Sequence, residues 1–456
     1  MSKSILLPKV QGLVIFILAL LILFYPIVTN APMPPIILYG CIMMVILLFP
    51  TIKKSTFIIS LMMLLIGHFL FWYYELGFPI WKDALSINLG LISLFAFVPM
   101  LLIPIEVGGY IHSIEAELKK LHSKQGSVFI LLSIITFLLS SVVNLAIIRV
   151  LFPIFKKTNL SNENLGRAML IGFTSTNLWS PYFASVAIIL HFMDLPYTKL
   201  GPFIFLLAIF HFIFGNMIVL LLIRKTKKLE YPDVINTRVN KMDDDRKKIA
   251  RLLIIMVVIF FALFLLEKMT GQKMTTLVSL VGLVGSILWI VLAKEKRRLK
   301  HLLSKYIFQS LPKIGNEVSL FISAGFFGII IMSTPLNQIV SHAVSRIGNE
   351  VPLIFLIGII ILLPVVLAFI GVHQIITVTL LATSISPDVI GLSTVSYGVL
   401  LAAAWCHSSA ASPFSPINLT ISSVLNKSSF KVGIGNNYLF FIGSLLITVF
   451  FVYFIR

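Results

Sequence analysis

Charge is what this sequence has least of. Only 12% of its 456 residues are Asp, Glu, Lys or Arg, and Asp and Glu together fill 17 positions. Soluble proteins carry roughly 25% charged residues. Cysteine is scarcer still. Cys41 and Cys406 stand far apart, one in an apolar run and one in a small-residue stretch. They read as two thiols buried in lipid, with no disulfide framework, no CxxC pair and no Cys/His cluster of metal-ligand spacing. There is no Walker motif, which argues against ATP-driven transport by this chain alone.

What is present is apolar. Hydrophobic residues make up 58% of the chain and the mean hydropathy is +1.03. One soluble core could not hide that much apolar surface. A soluble enzyme, a nucleic-acid-binding domain, a secreted disulfide scaffold and a disordered chain are therefore excluded. The solvent is lipid. The net charge of +19 then reads as basic loops on one face of a membrane, not as a nucleic-acid patch.

A crossing helix needs about 20 mainly apolar residues. Clear spans are expected at 10–30, 33–50, 55–77, 87–107, 202–223, 249–267, 274–293, 315–333 and 436–456. The first is too long for a cleaved signal peptide and lacks a small-residue cleavage site. Two regions, 128–155 and 352–385, are too long for one span and too short for two. Each carries a polar interruption, Ser140 to Asn144 in one and Gly371 to Gln374 in the other, and each reads as a re-entrant hairpin with its tip at mid-membrane. Two more regions, 165–191 and 397–424, are spans with Ser-Pro in a polar middle, at Ser180-Pro181 and Ser412-Pro413. Broken backbone at that depth is tolerated only inside protein or along a cavity.

The fold expected is thus all-α and membrane-integral, with about eleven transmembrane helices and two hairpins. With the N-terminus in the cytoplasm, 29 of the 36 Lys and Arg fall on the inner side and 6 on the outer, with Arg149 left within the first hairpin. The opposite orientation inverts that ratio, so the count supports a cytoplasmic N-terminus and an outer C-terminus in the plasma (inner) membrane.

The long basic loop divides the chain near its middle, which prompts a search for a repeat. A shift of 232 residues lays Ser180-Pro181-Tyr182 on Ser412-Pro413-Phe414, Gly166 on Gly398, and the tip residue Ser141 on His373. Both halves then run span, amphipathic segment, hairpin, broken helix, span. The domains expected are scaffold helices with an arm helix at 1–127, a first transport segment at 128–223, a basic cytoplasmic loop at 224–248, a second scaffold segment at 249–351 and a second transport segment at 352–456.

Inverted repeats with discontinuous helices are the architecture of secondary transporters. A half-helix N-terminus offers free N–H groups and a positive dipole end to an anion. Hydroxyls and amides supply neutral oxygens to a cation. The candidate binding residues are therefore Ser140, Ser141, Asn144, Thr174, Ser175, Thr176, Asn177 and Ser180 in the first half, and Gly371, His373, Gln374, Thr377, His407, Ser408, Ser409, Ser412 and Asn418 in the second. Arg149 has two readings, a substrate counter-charge or a guanidinium that snorkels to the cytoplasmic face. His68, His211 and Asn216 read as polar groups packed within their spans.

The order of elements resembles the divalent anion/sodium symporters of the ion transporter superfamily. Leu139 to Ala146 with Phe152-Pro153-Ile154 looks like the first hairpin tip and its helix, and Ile171 to Pro181 like the first broken helix. Gly371 to Gln374 stands where the second Ser-Asn-Thr tip belongs, and Ala402 to Asn418 looks like the second small-Pro-Asn stretch. Neither Ser-Asn-Thr is intact. The resemblance implies a scaffold that dimerises and a transport domain that moves as an elevator. It also implies interfacial arm helices at 110–126 and 334–350.

The expected function is secondary transport of a small organic anion, a carboxylate above all, coupled to Na⁺ or H⁺. No cofactor is expected beyond a possible Na⁺ at the hairpin tips, and no nucleic acid. A cation/proton antiporter on the same scaffold is the alternative, but neither hairpin nor broken helix has a carboxylate at mid-membrane. A membrane-embedded glycan- or acyl-transferring enzyme is a third reading, and the short outer loops count against it.

Overall fold

The computed structural model describes residues 3–29, 34–118, 125–225, 242–293, 296–338, 346 and 350–456. Every regular element among them is a helix, because backbone in an apolar solvent must satisfy its own hydrogen bonds. Nine helices among the described residues are long and apolar enough to cross a membrane. Eight coincide with expected spans. The ninth is Gln125–Val142, the first arm of the hairpin expected at 128–155. The expected span 33–50 is instead Pro35–Leu48, a helix of 14 residues. It rises only about 21 Å, less than the roughly 30 Å of a hydrocarbon core.

The chain packs as two compact units. The first comprises Met1–Pro104, Thr270–Arg346 and Thr379–Ser386. Its core joins Ile15, Met44, Leu48, Phe97 and Phe326. Inside that core the Asn88 amide donates to the Phe321 carbonyl at 2.7 Å and the Tyr306 hydroxyl to the Ala96 carbonyl at 2.7 Å. The second unit comprises Ile105–Met269, Ile347–Val378 and Pro387–Arg456.

These borders differ from the expected ones. The helix Met242–Thr270, expected among the scaffold helices of 249–351, belongs to the second unit up to Met269. Phe260, whose ring meets those of Trp179 and Tyr197, holds it there, as does Glu267, whose two carboxylate oxygens accept the backbone N–H groups of Tyr197 and Thr198 at 2.8 and 2.6 Å. A carboxylate there caps the positive end of the helix that starts at Tyr197. Conversely, Thr379–Ser386 groups with the first unit, although it was expected with 352–456.

Of the expected arm 110–126, Tyr110–Leu118 is helical and residues 119–124 lie outside the described residues. Most of the other arm, at 339–345 and 347–349, also lies outside them, as do residues 226–241 of the basic loop.

Two sets of the same elements lie in the second unit, except that the last six residues of the second hairpin's short arm, Thr379–Ser384, group with the first unit. The first is α1 (Gln125–Val143), α2 (Ala146–Phe155), α3 (Asn162–Trp179), α4 (Ala184–Phe192) and α5 (Tyr197–Lys225), followed by α6 (Met242–Thr270). The second is α7 (Leu353–Phe369), α8 (Gln374–Ser384), α9 (Thr394–Ala411), α10 (Pro416–Leu425) and α11 (Asn436–Phe454). Each hairpin has a long first arm and a short second one, of 19 and 10 residues in α1–α2 and 17 and 11 in α7–α8.

The broken helices repeat residue for residue at the interval of 232. Ser161 and Ser393 cap α3 and α9, each accepting from the N–H three residues on. Ser180 and Ser412 end them, both in extended backbone. The hairpins follow a different interval. Their turns centre on residues of positive φ, Asn144 at 57° and Gly371 at 92°, which are 227 apart. Ser141 therefore corresponds to Ala368 and not to His373. The second repeat has five more residues between tip and broken helix, in the connection that carries the short 3-10 turn Pro387–Ile390.

Candidate functional site

Each broken helix is fastened to its own hairpin by two hydroxyls. In the first repeat Thr176 donates to the Phe137 carbonyl at 2.6 Å and Ser180 to the Ser141 carbonyl at 3.1 Å. In the second, Ser408 donates to the Pro364 carbonyl at 3.1 Å and Ser412 to the Ala368 carbonyl at 2.8 Å. Donors and acceptors both correspond under the repeat. The partners advance together, so hairpin arm and broken helix run parallel, and the break sits beside the tip. Gly172 permits this approach in the first repeat. A Cβ there would meet the Ser133 carbonyl oxygen at 2.6 Å and the Phe137 nitrogen at 3.0 Å.

The breaks are closed from within. In the first, the Ser185 hydroxyl lies 2.7 Å from both the carbonyl oxygen and Oδ1 of Asn177. In the second, the Asn418 amide reaches the carbonyls of Ala410 and Ser412, each at 2.9 Å. These carbonyls would otherwise be orphaned at a buried helix end. Gln374 donates to the Ser409 hydroxyl at 3.0 Å, tying the second tip to its broken helix. His373 caps α8, its Nδ1 accepting from the N–H of Ile375 at 3.2 Å. In the first tip, Asn144 Oδ1 accepts from Leu145 N–H at 2.7 Å and Ser141 donates to Leu138 O at 2.6 Å.

The two repeats meet along α3 and α9. The Cys406 thiol donates to the Thr174 carbonyl at 3.1 Å, and these residues are 232 apart. A residue touching its own counterpart lies beside a two-fold axis. The flanking contacts are reciprocal. A Cβ on Gly166 would meet Leu425 and Ile421, and one on Gly398 would meet Ile189, the counterpart of Ile421. The start of each broken helix thus packs against the end of the other, so the two run antiparallel and the repeats are inverted. Thr174 itself donates to Leu170 O at 2.7 Å.

The sequence pattern pointed to one pocket shared by both tips. Hydrogen bonds tie each tip to its own break, which groups the polar side chains in two clusters, one per repeat. Ser180 and Ser412 each follow the Thr174–Cys406 contact by six residues, and along antiparallel helices that puts one break about 9 Å to either side of it. Within these clusters Ser140, Ser175 and Thr377 have buried hydroxyls with no hydrogen-bond partner. Thr176, Ser180, Ser408 and Ser412 have theirs committed to the hairpins.

Two expected site residues lie elsewhere. Arg149, on α2, is exposed and forms no ion pair among the described residues. His407 turns away from the tips. Its Nδ1–H donates to the Ala403 carbonyl at 2.8 Å, its Nε2 lies 3.4 Å from the Ser444 hydroxyl, and its ring meets that of His211 edge-on at 5.3 Å. His211 in turn sits 2.9 Å from the Thr448 hydroxyl. His407 and His211 thus form a polar seam among α5, α9 and α11, which requires one to be read from contacts across three helices.

Sequence reasoning missed Ser185 and Cys406. Cys406 is enclosed by protein rather than lipid, as is Cys41 in the first unit. The signal for Cys406 was its registration with Thr174 in the repeat. Among the described residues no group of three or more His, Cys, Asp or Glu could hold a metal ion.

No protein-family model matches the chain, and no curated protein matches it. A solved structure does. The crystal structure of the Alcanivorax borkumensis YdaH transporter, described there as having an unusual topology, superposes with a TM-score of 0.55 at 14% identity. The match covers 82% of this chain and 86% of that one. At that identity the likeness concerns the fold alone, which is all-α and built of membrane-spanning helices.

Proposed function

We propose that this chain is a secondary active transporter that moves a small organic anion, of the carboxylate class, across the membrane in exchange for the free energy of a Na⁺ or H⁺ gradient. The observation that carries this reading is the inverted pair of hairpin and broken helix joined at Thr174 and Cys406. Such a pair gives a membrane protein two equivalent arrangements, open to one face or the other, at little difference in energy.

The anionic substrate is supported by the first cluster. The short helix α4 starts at the break, its early residues Ser185 and Val186 are buried, and no side chain caps its N-terminus. Buried N–H groups without partners favour an anion. The buried hydroxyls of Ser140, Ser175 and Tyr182 have no partners either, and each has a proton to donate. No Asp or Glu lies in either tip or break to repel a carboxylate.

The resemblance to divalent anion/sodium symporters agrees with this chemistry. On the same reading the second unit moves against a dimer formed through the first, in the inner membrane with the N-terminus inside. The charge asymmetry of the loops supports that orientation.

Titration calorimetry on the purified protein, across mono-, di- and tricarboxylates with and without Na⁺ and at two pH values, tests the proposal. Saturable binding of at least one carboxylate, tightened by Na⁺ or by acid, is expected. Absence of binding across the whole panel would refute it.

A further inference from the structure

At the end of α3 remote from its break, the second unit holds a cavity of about 230 Å³ lined by Asn162, Glu163, Arg167, Lys427, Lys431 and Asn437 among others. None of these lining residues belongs to either cluster. Arg167 is already committed as a wall. It pairs with Glu163 and donates to the Asn436 carbonyl at 3.2 Å and to Asn164 Oδ1 at 3.1 Å. Lys427 and Lys431 have no acidic partner among the described residues. With Glu163 and Arg167 cancelling, the cavity keeps two uncompensated positive charges. The first N–H groups of α3 stand at the same mouth, where Ser161 caps only Asn164.

A second observation gives the ligand more definition. Asn437 is only 5% exposed and its amide donates to Val432 O at 2.8 Å and Gly433 O at 3.1 Å. Its Oδ1 is buried and accepts from nothing. A buried acceptor without a donor is a vacancy for an O–H. The lining therefore asks for two things at once, negative charge for the lysines and a hydroxyl for Asn437.

We propose that this cavity binds a phosphate group that also presents a hydroxyl. An anionic phospholipid headgroup with free hydroxyls and hydrogen phosphate itself share that chemistry. The cavity adjoins the second break, since a Cβ on Gly433 would meet the Asn418 amide nitrogen at 2.6 Å. Occupancy would therefore bear on the segment that closes that break. The proposal does not depend on the transport reading.

The test uses the full-length protein in detergent and two probes. Native mass spectrometry measures retention of phosphatidylglycerol against phosphatidylcholine, and calorimetry measures inorganic phosphate. The variant is Lys427→Gln with Lys431→Gln. Both side chains are exposed, so an unchanged melting temperature without ligand is expected. Wild type should hold phosphatidylglycerol at least tenfold more tightly than phosphatidylcholine, or bind phosphate saturably, and the double variant should lose at least tenfold. Phosphatidylglycerol alone would identify the source as a lipid headgroup, and phosphate binding would identify a soluble ion. Equal retention of the two lipids with no phosphate binding, or equal binding by wild type and variant, would overturn the proposal.

Discussion

The thiol of Cys406 donates to the carbonyl of Thr174 at 3.1 Å across an interval of 232 residues, the same interval that separates the caps, the breaks and the proline positions of the two broken helices. This contact between counterparts puts the pseudo-two-fold axis that relates the two broken helices beside α3 and α9.

Ser180→Ala and Ser412→Ala should have matching effects. Each removes one hydroxyl bond from a broken helix to its hairpin. Such bonds between helices in a membrane contribute about 0.6 kcal/mol on average and up to about 1.7. Each variant should lower the detergent unfolding free energy by about that amount. The double variant should lose the sum, because the sites share no partner. A much larger loss in one single variant would show that the halves are not equivalent.

Gly172→Ala should destabilise by about 1–3 kcal/mol, since overpacking here meets backbone that cannot rotate away. The nearest atom to an added Cβ is the Ser133 carbonyl oxygen at 2.6 Å. The counterpart position is Ala404, so Ala404→Gly offers a contrast and should not relieve any clash. Thermal unfolding in a fixed detergent reads both.

Glu267→Gln should cost about 2 kcal/mol. The carboxylate accepts two N–H groups with its two oxygens. An amide keeps one acceptor and turns a donor toward the other N–H, and it loses the charge that complements the start of α5. Hydrogen exchange at Tyr197 and Thr198 should accelerate in the variant, and exchange at wild-type rates would contradict the role.

Arg149→Lys should leave substrate affinity unchanged. An exposed guanidinium on α2 does not grip a buried anion, and lysine reaches an aqueous face as well as arginine does. A tenfold or greater loss of affinity with normal expression would put Arg149 back in the site.

The alternation of spans and breaks was legible because lipid makes hydrophobicity and backbone satisfaction visible in sequence. Ser-Pro in an otherwise apolar run marked both breaks, and an ungapped shift aligned α3 with α9. The hairpins were misregistered by five residues. Apolar sequence has too little information to show the added connection before α9 without its positive-φ landmarks, Asn144 and Gly371. The site was legible as residue types but not as commitments. Thr176 and Ser408 have the chemistry of ion ligands, but in the fold their hydroxyls donate to the carbonyls of Phe137 and Pro364. His407 reads in the sequence as a candidate binding residue, but its partners His211 and Ser444 lie on other helices.

The central claim is that the inverted pair moves an anion. Charge movement in proteoliposomes on a solid-supported membrane tests it most directly, with the carboxylate panel applied under Na⁺ and pH gradients. Wild type should give a transient current with at least one carboxylate, dependent on one of the two gradients. The Ser140→Ala, Ser175→Ala double variant should lose most of it while remaining folded in the vesicles. A folded, reconstituted wild-type protein that gives no current with any carboxylate under either gradient would contradict the account.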